Sequence, residues 1–410
     1  MPASNQGQPK VNRSVSMTNN LLLLVFIIAC GQMAQTIFVP ALPLIANGLT
    51  VHPAKLQAVM ACYLLAYGLL QFIYGPISDR IGRKKPLIFG VSLFIVGALV
   101  AANSNSFEML ILASLIQGCG TAAGGALCRS IPRDHYCGEN LMKFNSYVSM
   151  AVVFLPLMAP FLGSFAAKTF GWHSVYYTLA LFGFMVLMLL VFKLDESLPT
   201  NKREPKPMIA SYRFVLSHKA YRGYLVSLIA TFSGIAAFEA IAGILYGQSL
   251  KLSPFLVSVF FVIPIPGYLL GAMFASRQTN LSKLFNRGIA MLGAGSLFML
   301  IPGLFGHVVG WTLLVGSTLF FCGSGMLFPA MTSAALEPFP RQAGIAGAML
   351  GGLQNFGSGL AALVMSFVPM HGQLSIGVLS GFMVILVILA LNYAKHHEGH
   401  GDSVDLSTHI

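Results

Sequence analysis

The chain has 410 residues, of which 56% are hydrophobic and only 9% are charged. Soluble domains carry about 25% charged residues, so this composition excludes a soluble globular protein and indicates a polytopic membrane protein. The net charge is +12, but no basic stripe is interleaved with exposed aromatic residues, and we expect no nucleic-acid partner. The six cysteines lack metal-ligand spacing, which predicts free thiols and no bound metal.

Long charge-free windows predict twelve membrane-spanning helices. Positions 14–54, 288–336 and 342–394 contain no Asp, Glu, Lys or Arg, and each of the last two windows has room for two spans of about 20 residues. Together with the turn signals, the pattern predicts spans at 20–44, 55–78, 86–104, 107–129, 146–168, 173–193, 221–248, 253–276, 284–304, 309–334, 342–368 and 373–394.

The distribution of basic residues predicts the orientation of the chain. All of the 24 Lys and Arg residues except Lys55, Lys168 and Lys251 fall in the termini or in alternate loops, on one side of the membrane. Basic residues mark the cytoplasmic side, so both termini are expected in the cytoplasm. Trp172 and Trp311 fall at predicted outer helix ends, where aromatic belts lie.

A polar segment at 194–220 divides the predicted spans into two equal groups. Its prolines and charges predict a cytoplasmic linker with a helix along the membrane surface. We therefore expect a six-helix bundle in 1–193, a second in 221–394 and a cytoplasmic tail in 395–410. The predicted fold class is an all-α membrane protein of twelve transmembrane helices in two six-helix bundles, with substrate bound near the midplane between them.

Glu239 is the only charged residue between Arg222 and Lys251. Helical geometry places it about 25 Å from the first charge and about 18 Å from the second, in the middle of an apolar layer about 30 Å thick. A charged carboxylate there costs about 2.5 kcal/mol or more, so such groups usually line a cavity and are functional. The alternative is a protonated acid that only hydrogen-bonds to a neighbouring helix.

The segment GPISDRIGRKK at 75–85 joins the second and third predicted spans. Gly75 and Gly82 permit tight backbone geometry, and Asp79 can bind a helix N-terminus or an arginine. A basic topology loop is the simpler interpretation, yet this spacing resembles the signature loop of the major facilitator superfamily. The candidate conformational gate comprises Gly75, Asp79, Arg80, Gly82, Arg83 and Arg129. For Arg129, the alternative is a charge that only sets topology.

The resemblance to that superfamily extends over nearly the whole chain. Segments 31–43, 66–80, 117–126, 234–243, 261–267, 325–329 and 337–359 are similar to those of its twelve-helix drug/proton antiporters. The resemblance implies proton-driven export of amphipathic, often cationic compounds across a bacterial inner membrane.

Two motifs depart from the pattern of these antiporters. Ser114 stands where the family commonly has an arginine, and Ala159 and Ser164 replace glycines at the first and last places of the antiporter motif. The first span also lacks the acidic residue that some relatives use. These departures shift the expected coupling role towards Glu239. Burial favours the neutral form of its carboxyl group, and a nearby cation favours the charged form. A proton and a cationic drug would therefore compete for this one carboxylate.

Polar and aromatic side chains within the spans are the candidate substrate ligands. Amides bond to substrate or to an adjacent helix, and aromatics can hold flat or cationic ligands or simply meet lipid and core. Tyr63 and Tyr67 share one face of the second span, and the resemblance favours them further. The candidate set is Gln32, Gln35, Phe38, Tyr63, Tyr67, Gln71, Gln117, Phe238, Phe261 and Gln354.

The sequence contains no G-x-x-x-x-G-K-[ST] motif, so we expect an ion gradient as the energy source and no cofactor. The expected partners are lipophilic or cationic small molecules, protons and the lipid bilayer, and we expect a monomer. One alternative is a proton-coupled transporter of a specific neutral metabolite such as a sugar. A membrane enzyme or receptor is less favoured, because the sequence has no metal-ligand cluster, nucleophile elbow or large soluble domain.

Overall fold

The computed structural model describes residues 17–128, 130–136, 157–200, 203, 208–278, 280–339, 343–367 and 372–398, and its regular structure there is helical. The α-helices are α1 (Met17–Thr36), α2 (Leu42–Gly48), α3 (Gln57–Ile81), α4 (Lys84–Ala102), α5 (Phe107–Leu127), α6 (Ile131–His135), α7 (157–170), α8 (His173–Lys193), α9 (Met208–Ser217), α10 (Lys219–Ile244), α11 (Pro254–Val262), α12 (Pro264–Ser276), α13 (Leu281–Leu304), α14 (Gly310–Leu336), α15 (Ala343–Phe367) and α16 (Leu374–Glu398). Short 3₁₀ turns precede α2 and α3, and a π-helical turn follows α10.

Within the described ranges, eleven segments are long and apolar enough to cross a membrane, and they correspond to eleven of the twelve predicted spans. The remaining span, predicted at 146–168, is described only from residue 157 onwards, as α7. The first span consists of α1, a 3₁₀ turn and α2 and reaches Gly48. The predicted fold class, an all-α membrane protein with two six-helix bundles, is confirmed.

Local sequence sets several helix ends. Ser106 and Asn280 accept backbone N–H groups three residues later, at the starts of α5 and α13, as N-caps do. Pro264 begins α12 and separates it from α11, because proline supplies no N–H to continue a helix. Gly82 ends α3 with φ of +95°, a conformation that side chains disfavour.

The helices pack in two groups that follow chain order. In the first half, α5 contacts α1, α3 and α4, and α8 contacts α1 and α4. In the second half, α14 contacts α12 and α13, and α10 contacts α15 and α16. Each half therefore has its own helix packing, and a substrate route between the halves stays a prediction.

Small residues bring the two halves together along α3 and α15. A side chain at Gly68 would collide with the backbone of Phe356 and with the Gly352 carbonyl. Such close approach is how small residues strengthen helix contacts in membranes. The linker helix α9 also contacts both halves, because Tyr212 packs edge-on against Phe72, with ring centroids 5.8 Å apart, and Phe214 packs against a loop residue of the second half.

At the end of the molecule opposite the Lys/Arg-rich loops, the halves meet in a contact that we call the outer closure. The Ser258 hydroxyl of α11 donates to the Pro160 carbonyl of α7 at 3.0 Å. Gly243 of α10 leaves no space for a Cβ beside the Val39 carbonyl. The outer closure therefore consists of close backbone packing and a hydrogen bond between the halves.

Candidate functional site

Glu239 of α10 lies at the interface between the halves. Its carboxylate oxygen Oε2 accepts a hydrogen bond of 2.7 Å from the Gln35 amide of α1. A charged acceptor makes this bond stronger than a neutral one. Two residues that the sequence singled out separately are thus in direct contact, and Glu239 faces the opposite half.

Partial exposure follows one face of each of these two helices. On α1 the partly exposed positions include Ile28, Gln32 and Gln35, and on α10 they include Phe232 and Glu239, while most of their neighbours are buried. Spacings of three, four and seven residues place side chains on one helix face. The two faces meet at the Gln35–Glu239 contact, so these partly exposed side chains lie along the interface between the halves.

Phe232 and Phe328 are aromatic residues of this region that sequence reasoning missed. Their ring centroids lie 5.5 Å apart, and both side chains are partly exposed. Phe232 precedes Glu239 by two helical turns, so the seven-residue spacing was a signal that could have identified it. An aromatic pair two helical turns from an acid, on the same helix face, suits a flat or cationic ligand.

Tyr63 and Tyr67 stack with ring centroids 5.9 Å apart, as their spacing on one helix face predicted. The Tyr63 hydroxyl donates to the Gly31 carbonyl of α1 at 2.8 Å and lies 3.0 Å from the Thr121 hydroxyl of α5. Tyr63 is buried, whereas Tyr67 is partly exposed. Tyr63 therefore positions Tyr67, and Tyr67 is the better placed of the two for ligand contact.

The predicted aromatic residues of the second half form a buried group. Phe238 stacks on Phe261, with ring centroids 6.1 Å apart, and meets Phe321 edge-on at 5.6 Å. Phe38 is also buried and stacks on Tyr176 at 6.5 Å. In this conformation these rings pack against protein, so direct ligand contact by Phe38, Phe238 or Phe261 stays a prediction.

The remaining predicted amides are buried. The Gln117 amide donates to the Gly97 carbonyl of α4 at 3.3 Å, which favours the helix-packing alternative for this residue. Gln71 and Gln354 are 4% and 6% exposed. The structure therefore brings Gln35 and Glu239 together, leaves Gln32 on the same face, and places Gln117 in a helix contact within the first half.

The predicted gate loop is the centre of a charge cluster on the Lys/Arg-rich side. Arg83 is buried, and it donates to Asp79 at 2.7 Å and to Asp134 of α6 at 3.1 Å. Ser197, which follows α8, donates to the same Asp134 oxygen at 3.0 Å. Arg83 thus joins the loop after α3 to the α6 segment and, through Asp134, to the chain after α8.

Glu196 completes this cluster by capping the N-terminus of α4. Its carboxylate accepts the backbone N–H groups of Arg83, Lys84 and Leu198 at 2.7, 3.2 and 3.0 Å. Burial alone would raise the pKa of Glu196, but these three donors and the nearby Arg203 together hold that pKa below its ordinary value. The predicted role of binding a helix N-terminus falls to Glu196, while Asp79 pairs with an arginine.

The other predicted gate residues occupy simpler environments. Gly75 accepts the Ser78 hydroxyl through its carbonyl, Gly82 turns the chain, and Arg80 is exposed. Arg129 lies outside the described residues. In the part of the chain that the structure describes, no three His, Cys, Asp or Glu side chains come together as a metal site.

Comparisons with known proteins agree with this architecture. Residues 24–362 match the Major Facilitator Superfamily model. The chain is 42% identical over 388 residues to Multidrug resistance protein D (EmrD) of Escherichia coli K12, covering 93% of this chain and 98% of that protein.

Two further similarities extend the comparison. Multidrug resistance protein MdtL of Escherichia coli O17:K52:H18 is 27% identical, with coverage of 88% of this chain and 94% of that protein. A crystal structure of the peptide transporter POT with sulfate superimposes with a TM-score of 0.75 at 15% identity, covering 92% of this chain and 94% of the other, and supports the fold alone. The extent of the family match and the identity to the first relative show that the chain belongs to the Major Facilitator Superfamily.

Proposed function

We propose that the protein is a proton-coupled exporter of amphipathic, often cationic compounds, and that Glu239 is its coupling residue. The observation that carries the proposal is the Gln35–Glu239 hydrogen bond between the halves, within a partly exposed region. Ionisable side chains within the membrane usually face the bundle interior and are functional. Glu239 faces the other bundle, as such a residue would, and does not face lipid.

The chemistry follows from the two states of the carboxyl group. The charged form accepts the Gln35 N–H and attracts a cationic ligand. When a proton binds to a carboxylate oxygen, the charge is lost and the attraction to the cation disappears. Proton uptake from outside would release the compound, and proton loss inside would restore the binding site.

The packing between the halves supports a proposal about the side of the membrane from which Glu239 is accessible. The outer closure is tightly packed around Val39, Gly243 and Ser258, and we infer from it that the partly exposed Glu239 is reached from the Lys/Arg-rich side. By the positive-inside rule that side is cytoplasmic. We therefore propose an inward-facing conformation, with both termini in the cytoplasm of a bacterium and the chain in the inner membrane.

The domain boundaries and the oligomeric state belong to the same proposal. We place the N-terminal bundle in 1–193, the linker in 194–220 and the C-terminal bundle in 221–394, with the transporter working as a monomer.

The proposed substrates are drugs and not a neutral metabolite such as a sugar. Both relatives described above are named as multidrug resistance proteins, and the aromatic Phe232–Phe328 pair suits amphipathic or cationic drugs.

The test is transport by purified Glu239→Gln protein in proteoliposomes, with tetraphenylphosphonium as the cation and an imposed pH gradient. We expect gradient-driven exchange to be lost, while size-exclusion behaviour and thermal unfolding stay close to those of the unmodified protein. Glu108→Gln is the matched control, because Glu108 is an exposed acid in the first turn of α5. That variant should transport normally.

Normal proton-driven exchange by Glu239→Gln would refute the coupling role. If neither the unmodified protein nor Glu108→Gln moved any lipophilic cation from a panel of such compounds, cationic drug export itself would be refuted.

A further inference from the structure

A groove of about 410 Å³ runs between α10 and α16 on the outside of the second half. One wall consists of Arg222 and Val226 of α10, and the other of Leu386, Leu389 and Tyr393 of α16. We call it the α10–α16 groove. It lies where α10 begins and α16 ends, on the Lys/Arg-rich side, and it is separate from the interface that contains Glu239.

Small residues form the floor of this groove. A Cβ added to Gly223 would lie 2.7 Å from the Ala394 side chain and 2.8 Å from the Ala390 carbonyl. The two helices therefore approach closely at these positions, while the longer side chains on either side stand above them. Packing between small residues accounts for the depth of the groove.

The groove is cationic at one end and apolar along its length. The exposed Arg222 guanidinium donates to the Tyr393 hydroxyl at 3.4 Å. The described residues that line the groove include no acid. Further along the walls, Val226 is 36% exposed and Leu389 is 62% exposed.

More cationic and apolar residues continue both ends of the pattern. Lys219 is exposed three residues before Arg222, on the same face of α10, and adds a second cation at this end of the groove. In the opposite direction along α16, the exposed Ile385 and Phe382 extend the apolar surface. The groove therefore matches a molecule with an anionic head at the membrane surface and an apolar chain directed into the bilayer.

We propose that the α10–α16 groove binds an anionic phospholipid, with its phosphate at Arg222 and Tyr393 and an acyl chain along Val226 and Leu389. Basic pockets between helices on the cytoplasmic side are suited to anionic head groups. The bidentate guanidinium geometry suits a phosphate group. The inference rests on the proposed orientation, which places this end of the groove at the cytoplasmic leaflet, and does not depend on the coupling role of Glu239.

Native mass spectrometry of the delipidated protein provides the test, with dioleoylphosphatidylglycerol and dioleoylphosphatidylcholine added separately. The unmodified protein should prefer phosphatidylglycerol. Arg222→Gln should lower that preference about five-fold, the effect of one basic residue at a membrane surface. Val226→Trp should fill the groove along its apolar wall and weaken binding of both lipids. Arg277→Gln removes an exposed arginine at the end of another helix and should leave the binding of both lipids unchanged.

Two results would overturn the proposal. One is an unmodified protein that binds the two lipids equally, and the other is an Arg222→Gln variant that keeps the original preference. Displacement of the lipid by millimolar glycerol 3-phosphate would also contradict it, because a water-soluble head group lacks the acyl chain that the apolar wall is proposed to hold. These measurements record binding without transport, so their failure is distinguishable from failure of the proposed export.

Discussion

Replacement of Glu196 by glutamine tests whether the charge cluster stabilises the Lys/Arg-rich end of the first half. The carboxylate accepts three backbone N–H groups, two of them, from Arg83 and Lys84, at the start of α4. A glutamine side chain has a single acceptor oxygen, and its NH₂ group would point towards a backbone N–H. At least one of the three bonds is therefore lost, together with the favourable charge at the helix N-terminus.

The expected magnitude follows from these contacts. A hydrogen bond to a charged group contributes about 1.5–3 kcal/mol, and an acid at a helix N-terminus adds about 0.3–1 kcal/mol. Because Glu196 is partly exposed to water, solvent screening places the sum near the lower end of these ranges. We expect Glu196→Gln to lower the free energy of unfolding by about 2 kcal/mol at neutral pH.

The pH dependence has a definite sign. The pKa of Glu196 is lower in the folded protein than its ordinary value. Its charge therefore stabilises the folded state fully at pH values above the pKa of a free glutamate, which is about 4.3. This contribution disappears as the pH falls through the lowered pKa. The difference in unfolding between Glu196→Gln and the unmodified protein should therefore be largest at neutral pH and shrink in acid.

Thermal unfolding in detergent micelles, followed by tryptophan fluorescence across this pH range, measures the effect. Asp195→Asn is the control, since it removes an exposed acid one residue away and should change the melting temperature little. A stability loss by Glu196→Gln that stayed constant into acid, or an equal loss by Asp195→Asn, would refute the capping argument.

Two further substitutions test packing at other places. Gly68→Leu should separate α3 from α15, because the side chain would collide with the Phe356 backbone, and we expect the free energy of unfolding to fall by about 1–3 kcal/mol. Gly381→Ala is the control and should show no such loss, because nothing lies within 4 Å of the added Cβ. Similar melting temperatures for the two variants would contradict the packing argument. Gln57→Leu should stabilise the protein by about 1–3 kcal/mol, because both polar side-chain atoms of Gln57 are buried without a hydrogen-bond partner in the described part of the chain, and a lower melting temperature would show that this amide contributes favourably.

The sequence predicted the spans well because the absence of charge over long windows is a direct consequence of the bilayer. Glu239 was identifiable for the same reason, since a lone acid stands out against uncharged neighbours. The sequence predicted the eighth span as one helix, whereas the structure divides it at Pro264, because proline interrupts the hydrogen bonds of a helix. These features depend on local sequence and the membrane alone.

Features that depend on distant contacts were not predictable in the same way. Gln35 and Gln117 are both amides within spans, yet Gln35 meets Glu239 and Gln117 meets Gly97, because the direction of a helix face is set by its neighbours. Glu196 lies 113 residues from Arg83, and no local pattern relates the two. The acids after α8 marked a polar linker but gave no indication of a cap on α4.

The contacts within the first half differ in kind from those between the halves. Arg83, Asp134 and Glu196 join the loop after α3, the α6 segment and the start of the linker at the Lys/Arg-rich end of the first half, which favours motion of that half as one body. The interface between the halves, in contrast, combines close packing at small residues such as Gly68 with the Gln35–Glu239 and Ser258–Pro160 hydrogen bonds. On the proposed mechanism, the Gln35–Glu239 bond is then the informative contact, because it spans both halves and changes when a proton binds. A ligand that alters this one carboxyl group alters a bond between the two moving parts, and this is what alternating access requires of a coupling site.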